Sequence, residues 1–208
     1  MLAGTGKTPR SKTSRLSRRT LLGGAAAIAL TAGAVAYAIL GPDRGPVIGG
    51  PFSLVDGTGK RWTDKDFLGE FLLVYFGYTF CPDVCPTALG ELSAALDGMP
   101  PELVGRLRVV FISVDPQRDH GERLDEYGKA FHERIMGLTG TRAEIDSVAA
   151  AYGAKYRFAG DTATQDYAID HTSIIYVMGP DGRFVTQFTH NATPEQMAAK
   201  LRAVIGPA

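Results

Sequence analysis

Cysteine is nearly absent from this chain of 208 residues: there are two, Cys81 and Cys85, alongside four histidines and one tryptophan. Two cysteines close at most one disulfide, so the fold must rest on a hydrophobic core. No segment repeats and none is of low complexity, which argues against a stacked-repeat architecture. Acidic residues are missing from residues 1–20, which carry Lys7, Arg10, Lys12, Arg15, Arg18 and Arg19. The formal net charge of zero therefore hides an asymmetry: residues 21–208 hold 16 basic and 22 acidic side chains. An acidic domain lacks the basic face that nucleic-acid binding requires. With 45% hydrophobic and 21% charged residues the remainder is of ordinary globular composition, long enough for one domain with one core.

Charge is also missing from residues 21–40, which read LLGGAAAIALTAGAVAYAIL, 20 residues without a charged side chain. That is the length of a bilayer-spanning helix. The basic residues 1–20 before it are expected to stay in the cytoplasm, which places the following domain across the membrane. Ser17-Arg18-Arg19-Thr20-Leu21-Leu22 also resembles a twin-arginine export signal. The helix is expected to remain as an anchor; cleavage near Ala34-Val35-Ala36 or Ala36-Tyr37-Ala38 is the alternative. Either outcome locates the domain in an oxidising compartment, a bacterial periplasm, on a single-pass inner-membrane protein. Residues 41–50, rich in Gly and Pro, read as a tether to a domain spanning 51–208.

Within that domain, Phe52–Val55 and the following Asp56-Gly57-Thr58-Gly59 read as a strand entering a hairpin, and Thr63 as the cap of a short helix. Phe71–Gly77 and Leu107–Val114 are continuous apolar runs, as expected of strands buried on both faces of a parallel sheet. Between them a helix with Pro86 in its first turn presents Leu89, Leu92, Ala95 and Leu96. Residues 121–132 and 142–152 have helical patterning, the second capped by Thr141 with Glu144. Ser173–Met178 is a third strand, turned by Gly179–Gly182 into a fourth over Arg183–Phe188. Thr193-Pro194-Glu195-Gln196 opens the last helix. Strand–helix–strand units imply parallel pairing and the tight turn an antiparallel pair. This is an α/β, thioredoxin-like mixed sheet flanked by helices.

The cysteines follow the carboxyl end of one buried strand, and Asp115 follows that of its neighbour, where open α/β sheets place their sites. His171 precedes the third strand. If that strand is antiparallel to the other two, its start lies at the same edge, and the imidazole approaches the sulfurs across 86 residues. Pro86 puts Cys85 at a helix amino end, where free N–H groups and the helix dipole favour a thiolate. A helical turn between the cysteines would point both to one side. Two thiolates and one imidazole suit one copper ion in either oxidation state. The charge of the thiolates balances Cu(II), and Asp83 and Asp170 add negative charge beside the site. Asp115 is read evenly as a turn residue or a supporting group around the ligands, and Asp83 as a loop acid or a site group.

These residues resemble the Sco/SenC family of copper-binding assembly proteins. Phe76 to Pro86 (FGYTFCPDVCP) is very close to that family's core pattern. Ser113 to Asp119 (SVDPQRD), Gly137 to Gly140 (GLTG), and Asp170-His171-Thr172 with Pro180-Asp181-Gly182 are similar to its further blocks, in order. The resemblance implies a thioredoxin-like fold and copper held by Cys81, Cys85 and His171. It also implies delivery of that copper to the dinuclear centre on the copper-bearing subunit of cytochrome c oxidase, or reduction of that subunit's cysteines. Other copper carriers or thiol reductants would be the remaining partners. One departure is His120-Gly121 where the family often has Thr-Pro, which points to a looser helix start.

Competing roles share these residues. Cys81 and Cys85 would form the redox-active disulfide of a thiol–disulfide oxidoreductase, but the usual redox pattern has two residues between cysteines, and here there are three. Such enzymes also carry a proline where Asp170-His171-Thr172 stands. A peroxidase needs one attacking cysteine, and a redox or copper sensor has no separate marker. A purely structural disulfide would close too short a loop to add much stability. His120, His132 and His190 read as surface histidines, Tyr75, Phe76, Tyr78 and Phe80 as packing, and Arg118, Arg123 and Lys129 as a solvated helix face.

Overall fold

The computed structural model describes residues 48–206 apart from 165. The basic segment 1–20, the apolar segment 21–40 and most of the tether 41–50 lie outside the described residues. Among those that are described, no helix is long and apolar enough to cross a membrane.

The centre is a five-stranded mixed sheet. β1 (Ser53–Val55) and β2 (Arg61–Thr63) form a preceding hairpin, followed by a 3-10 turn over Asp64–Phe67. β3 (Phe71–Gly77) leads through the cysteine loop into α1 (Val84–Asp97), the short α2 (Pro101–Val104) and β4 (Leu107–Ser113). α3 (Glu122–Phe131), β5 (Ile135–Leu138) and α4 (Arg142–Tyr152) follow. A second hairpin, β6 (Tyr156–Asp161) and β7 (Asp166–His171), precedes β8 (Ile174–Met178), β9 (Phe184–Thr189) and α5 (Pro194–Ile205). The sheet order is β5-β4-β3-β8-β9. β3 is parallel to β4 and antiparallel to β8, and β8 is antiparallel to β9. With α1 between β3 and β4, and α5 after β9, this is the thioredoxin plan with β5 added at one edge.

The apolar run of β3 is explained by burial of all seven of its residues. Its alternate side chains serve different layers. Phe76 packs on Tyr152 of α4 and Tyr176 of β8, with ring centroids 5.6 and 6.2 Å apart. Tyr75 and Gly77 turn to the opposite face, where Phe111 of β4 meets Tyr127 of α3 at 5.2 Å. α1 buries Cys85, Leu89, Leu92 and Leu96 on that face. α4 and α5 start as their sequences require: Thr141 accepts from the Glu144 N–H and Thr193 from the Gln196 N–H. α3 differs. Its cap is Gly121 with φ 59° and no side-chain bond, so the loose start expected from His120-Gly121 is present, in a backbone conformation that favours glycine.

The short α2, β5 and the β6–β7 hairpin are absent from the sequence-based expectation. β5 is only four residues long and runs into the bridge between Val55 and Thr139. The β6–β7 hairpin forms its own two-stranded sheet, in which β7 alternates exposed and buried residues and β6 is half-buried to exposed. His171 therefore ends a strand of this hairpin instead of lying in a loop before β8.

The hairpin makes no ladder with the central sheet, so side chains must dock it. Tyr167 and Ile169 are its buried anchors, each contributing about 1.5–3 kcal/mol by burial. The Tyr167 hydroxyl donates to Asp115 at 2.7 Å, and the Arg118 guanidinium donates to both Asp115 and the Tyr167 carbonyl. That guanidinium lies 3.6 Å over the Tyr167 ring. Arg118 is thus a buried pin, with its side chain 6% exposed, and not part of the solvated face read from sequence. Removing the phenol oxygen strips Asp115 of one partner and should loosen the hairpin locally. In Tyr167→Phe, amide protection at residues 156–161 and 166–171 is expected to fall about tenfold, the equivalent of one lost hydrogen bond. β3 and β4 should keep theirs, and native-state hydrogen exchange distinguishes the two regions.

Candidate metal centre

The topology brings three donors together. Cys81 and Cys85 follow the carboxyl end of β3, and His171 immediately precedes the antiparallel β8. The Cys85 Sγ lies 3.1 Å from His171 Nε2. All three donor atoms fall within 4.8 Å of one another, and among the described residues this is the cluster able to hold an ion. An ion bonded at about 2.0–2.3 Å to nitrogen and sulfur needs donors spaced on this scale.

Each donor is placed by its backbone. The turn between the cysteines is a bend and α1 begins only at Val84, so the condition of a helical turn is not met. The Cys85 N–H points back to Cys81 Sγ at 3.5 Å. The helix start therefore serves the Cys81 sulfur, where the sequence had pointed to Cys85. Both cysteines are buried and unpaired, with Cys81 9% and Cys85 0% exposed. Gly77 makes room for them: a Cβ there would sit 2.7 Å from Cys85 Sγ and 2.8 Å from the Phe111 ring. His171 turns Nδ1 to the Thr172 carbonyl at 3.2 Å. With the Nδ1 proton donated there, Nε2 presents its lone pair to the sulfurs. The rings of Tyr75 and Tyr78 meet the imidazole edge-on at 6.1 and 6.0 Å.

The two sulfurs share one thiolate. Hydrogen bonding from Cys85 is the largest influence holding Cys81 down, to about 4, joined by the N–H groups of Asp83 and Cys85. The same contact with Cys81, followed by burial, pushes Cys85 up. The charge belongs on Cys81 because its sulfur is the less buried and receives the backbone donors.

The acids predicted around the site take different places. Asp115 is fully buried at the end of β4 and works through Tyr167, four residues before His171. Asp83 caps α1 as an exposed residue with no side-chain cap bond. Asp170 is exposed and pairs with Arg157 across the hairpin at 2.8 Å. Asp119 was not singled out from sequence. It is fully buried and accepts from the Thr79 N–H and hydroxyl at 2.7 and 2.6 Å, and from Ser113 at 2.6 Å. It ties the strand leading into Cys81 to the end of β4. Its place in SVDPQRD was visible, but nothing there told its partner. His120 and His190 are exposed, as expected, and His132 is half-buried near Asp97.

This charge distribution has a kinetic consequence. In the reduced, metal-free chain, Cys81 should be alkylated by iodoacetamide before Cys85. Its rate should already be flat above about pH 5, whereas an ordinary thiol gains about tenfold per unit up to its pKa near 8.5. Mass spectrometry of the singly modified chain across pH 5–8 measures both.

Comparison with known proteins agrees with this geometry. The SCO1/SenC family profile matches residues 41–206. The human mitochondrial SCO1 homolog is 44% identical over 163 residues, 78% of this chain and 54% of the human protein. The mitochondrial SCO1 homolog 1 of Arabidopsis thaliana is 43% identical over 73% of this chain and 45% of its own length. This chain thus spans about half the length of these relatives. The structure of Bradyrhizobium japonicum ScoI with copper bound is similar, with TM-score 0.68 and 44% identity over 75% of this chain and 98% of that one. The crystal structure of Arabidopsis thaliana ScoI with copper bound gives TM-score 0.68 and 41% identity over 76% and 96%. A profile match over four-fifths of the sequence, relatives above 40% identity, and a thioredoxin-like sheet with two cysteines and a histidine at one edge lead to one statement: the chain belongs to the SCO1/SenC family.

Proposed function

We propose that this chain is a copper carrier, binding one ion through Cys81, Cys85 and His171 and passing it to the dinuclear copper centre of cytochrome c oxidase during assembly. The observation that carries the reading is the 3.1 Å approach of His171 Nε2 to Cys85 Sγ, with Cys81 completing a compact donor set. Two sulfurs and a nitrogen are soft enough for Cu(I), and the charge of two thiolates neutralises Cu(II), so the pocket accepts the ion in either state. The copper-bound relatives from Bradyrhizobium japonicum and Arabidopsis thaliana support copper as the cargo.

Loading requires both thiols to give up their protons. Cys81 is already inclined to do so, and the approaching cation supplies the attraction that ionises Cys85. His171 arrives on a hairpin docked by side chains and not by a ladder with the central sheet, so the nitrogen is the donor best placed to let go when a partner's ligands compete. Asp170 contributes less charge to the pocket than its sequence position implied, because Arg157 offsets it. Asp115 acts through Tyr167, and Asp83 offers Cys81 its backbone N–H and not its carboxylate.

The delivery reading includes a location. Residues 1–20 are the cytoplasmic flank, 21–40 the membrane helix and 41–50 the tether that leaves domain 51–208 in the periplasm, facing the copper-bearing oxidase subunit. The apolar length of residues 21–40 and the six cations before them support it.

The alternative use of the same pair, reducing the oxidase subunit's cysteines as a thiol–disulfide oxidoreductase, makes a different demand on His171. Titrating the reduced chain with Cu(I) and Cu(II) separates the two. A carrier binds one equivalent of copper, and His171→Ala lowers the affinity at least tenfold. If His171→Ala leaves copper affinity unchanged while the chain reduces a mixed disulfide rapidly, the carrier reading fails.

A further inference from the structure

The hairpin that carries His171 closes on an irregular pair. β6 and β7 are antiparallel with Tyr156 opposite His171, so the next rung pairs Lys155 with Thr172. A regular rung of the hydrogen-bonded kind exchanges two backbone bonds, each N–H meeting the other residue's carbonyl. Here one of the two is regular: the Thr172 N–H donates to the Lys155 carbonyl at 2.8 Å. The return bond is made to a side chain. The Lys155 N–H donates to the Thr172 hydroxyl oxygen at 2.9 Å. The Thr172 carbonyl, relieved of its place in the rung, lies 3.2 Å from His171 Nδ1. Threonine hydroxyls can stand in for a backbone partner in this way.

We infer that Thr172 is the positioning residue of the metal centre: its hydroxyl takes its carbonyl's place in the hairpin and frees that carbonyl to hold the His171 Nδ1 proton. The consequence reaches the other nitrogen. A neutral imidazole has one N–H, so a proton fixed on Nδ1 leaves the lone pair on Nε2, 3.1 Å from Cys85 Sγ. The same bond fixes the direction of the ring. Thr172 acts through the imidazole and supplies no donor of its own. Every residue in this place would offer a carbonyl. What threonine adds is a hydroxyl within reach of the opposite N–H. Without it the Lys155 N–H draws the carbonyl back into the rung, since a backbone donor left unpaired is costly, and the imidazole loses its acceptor. Serine supplies the same hydroxyl, whereas valine keeps the branched shape and supplies none. The protonation pattern of the ring belongs to the metal-free chain; only its effect on copper rests on the carrier reading above.

The test uses the reduced full chain with Thr172→Val and Thr172→Ser. Long-range proton–nitrogen NMR correlation of His171, without metal and at a pH where the ring is neutral, reports which nitrogen carries the proton. The unaltered chain should carry it on Nδ1. In Thr172→Val the ratio of Nδ1–H to Nε2–H should fall about tenfold, as expected for one lost hydrogen bond, and Thr172→Ser should restore it. Lost packing would not be repaired by the smaller serine. Copper affinity, measured by chelator competition, should fall about ten- to a hundredfold in Thr172→Val and return in Thr172→Ser. A proton on Nε2 in the unaltered chain overturns the inference, and so does an unchanged ratio in Thr172→Val. The first of these needs no variant, so it decides the matter even where Thr172→Val fails to fold. A shifted ratio with unchanged copper affinity overturns the bearing of Thr172 on the ion. If the unaltered chain binds no copper, the carrier reading falls, and the protonation measurements still decide what Thr172 does to the ring.

Discussion

The structure turns on one contact across 86 residues, between the Cys85 sulfur and the His171 imidazole. Neither residue is near the other in the chain, and no local preference draws them together. Their approach follows from antiparallel pairing of β8 with β3, which returns the chain to the edge where β3 releases the cysteine loop. The pairing is in turn fixed by burial. β3 has apolar side chains on both faces, so it must lie inside a sheet with a layer on each side.

Around that contact the protein separates donors built into the core from a donor docked onto it. The sulfurs sit against the core: Gly77 leaves space for Cys85, and Asp119 ties the segment before Cys81 to β4. The imidazole sits on a hairpin outside the central sheet, docked by Asp115, Arg118 and Tyr167. A carrier must hold its ion and also surrender it. Two donors lie in the core and the third lies on a hairpin that shares no ladder with the central sheet, so the two kinds of donor are held by different contacts. The buried Asp115–Arg118 pair matters here for position more than for stability, since desolvation cancels much of the attraction in such pairs.

Much of this was legible in the residues. Continuous apolar runs located β3 and β4, the caps at Thr141 and Thr193 located α4 and α5, and the turn at Gly179–Gly182 gave β9. The topology so read was enough to bring His171 to the cysteines. The β6–β7 hairpin was not legible because its strands are mostly exposed, with only Tyr167 and Ile169 buried to mark the period. β5 is too short for its pattern to stand out. Arg118 looked like a surface cation because sequence shows charge but not the carboxylate and aromatic ring that enclose it.

The central claim is that one copper ion is held by two sulfurs and one nitrogen. X-ray absorption at the copper edge of the singly loaded chain measures this directly. The account predicts a first shell fitted by two sulfur scatterers and one nitrogen scatterer, with the imidazole's outer-shell pattern lost in His171→Ala. A first shell of nitrogen and oxygen alone, or an imidazole signal that persists in that variant, would contradict it.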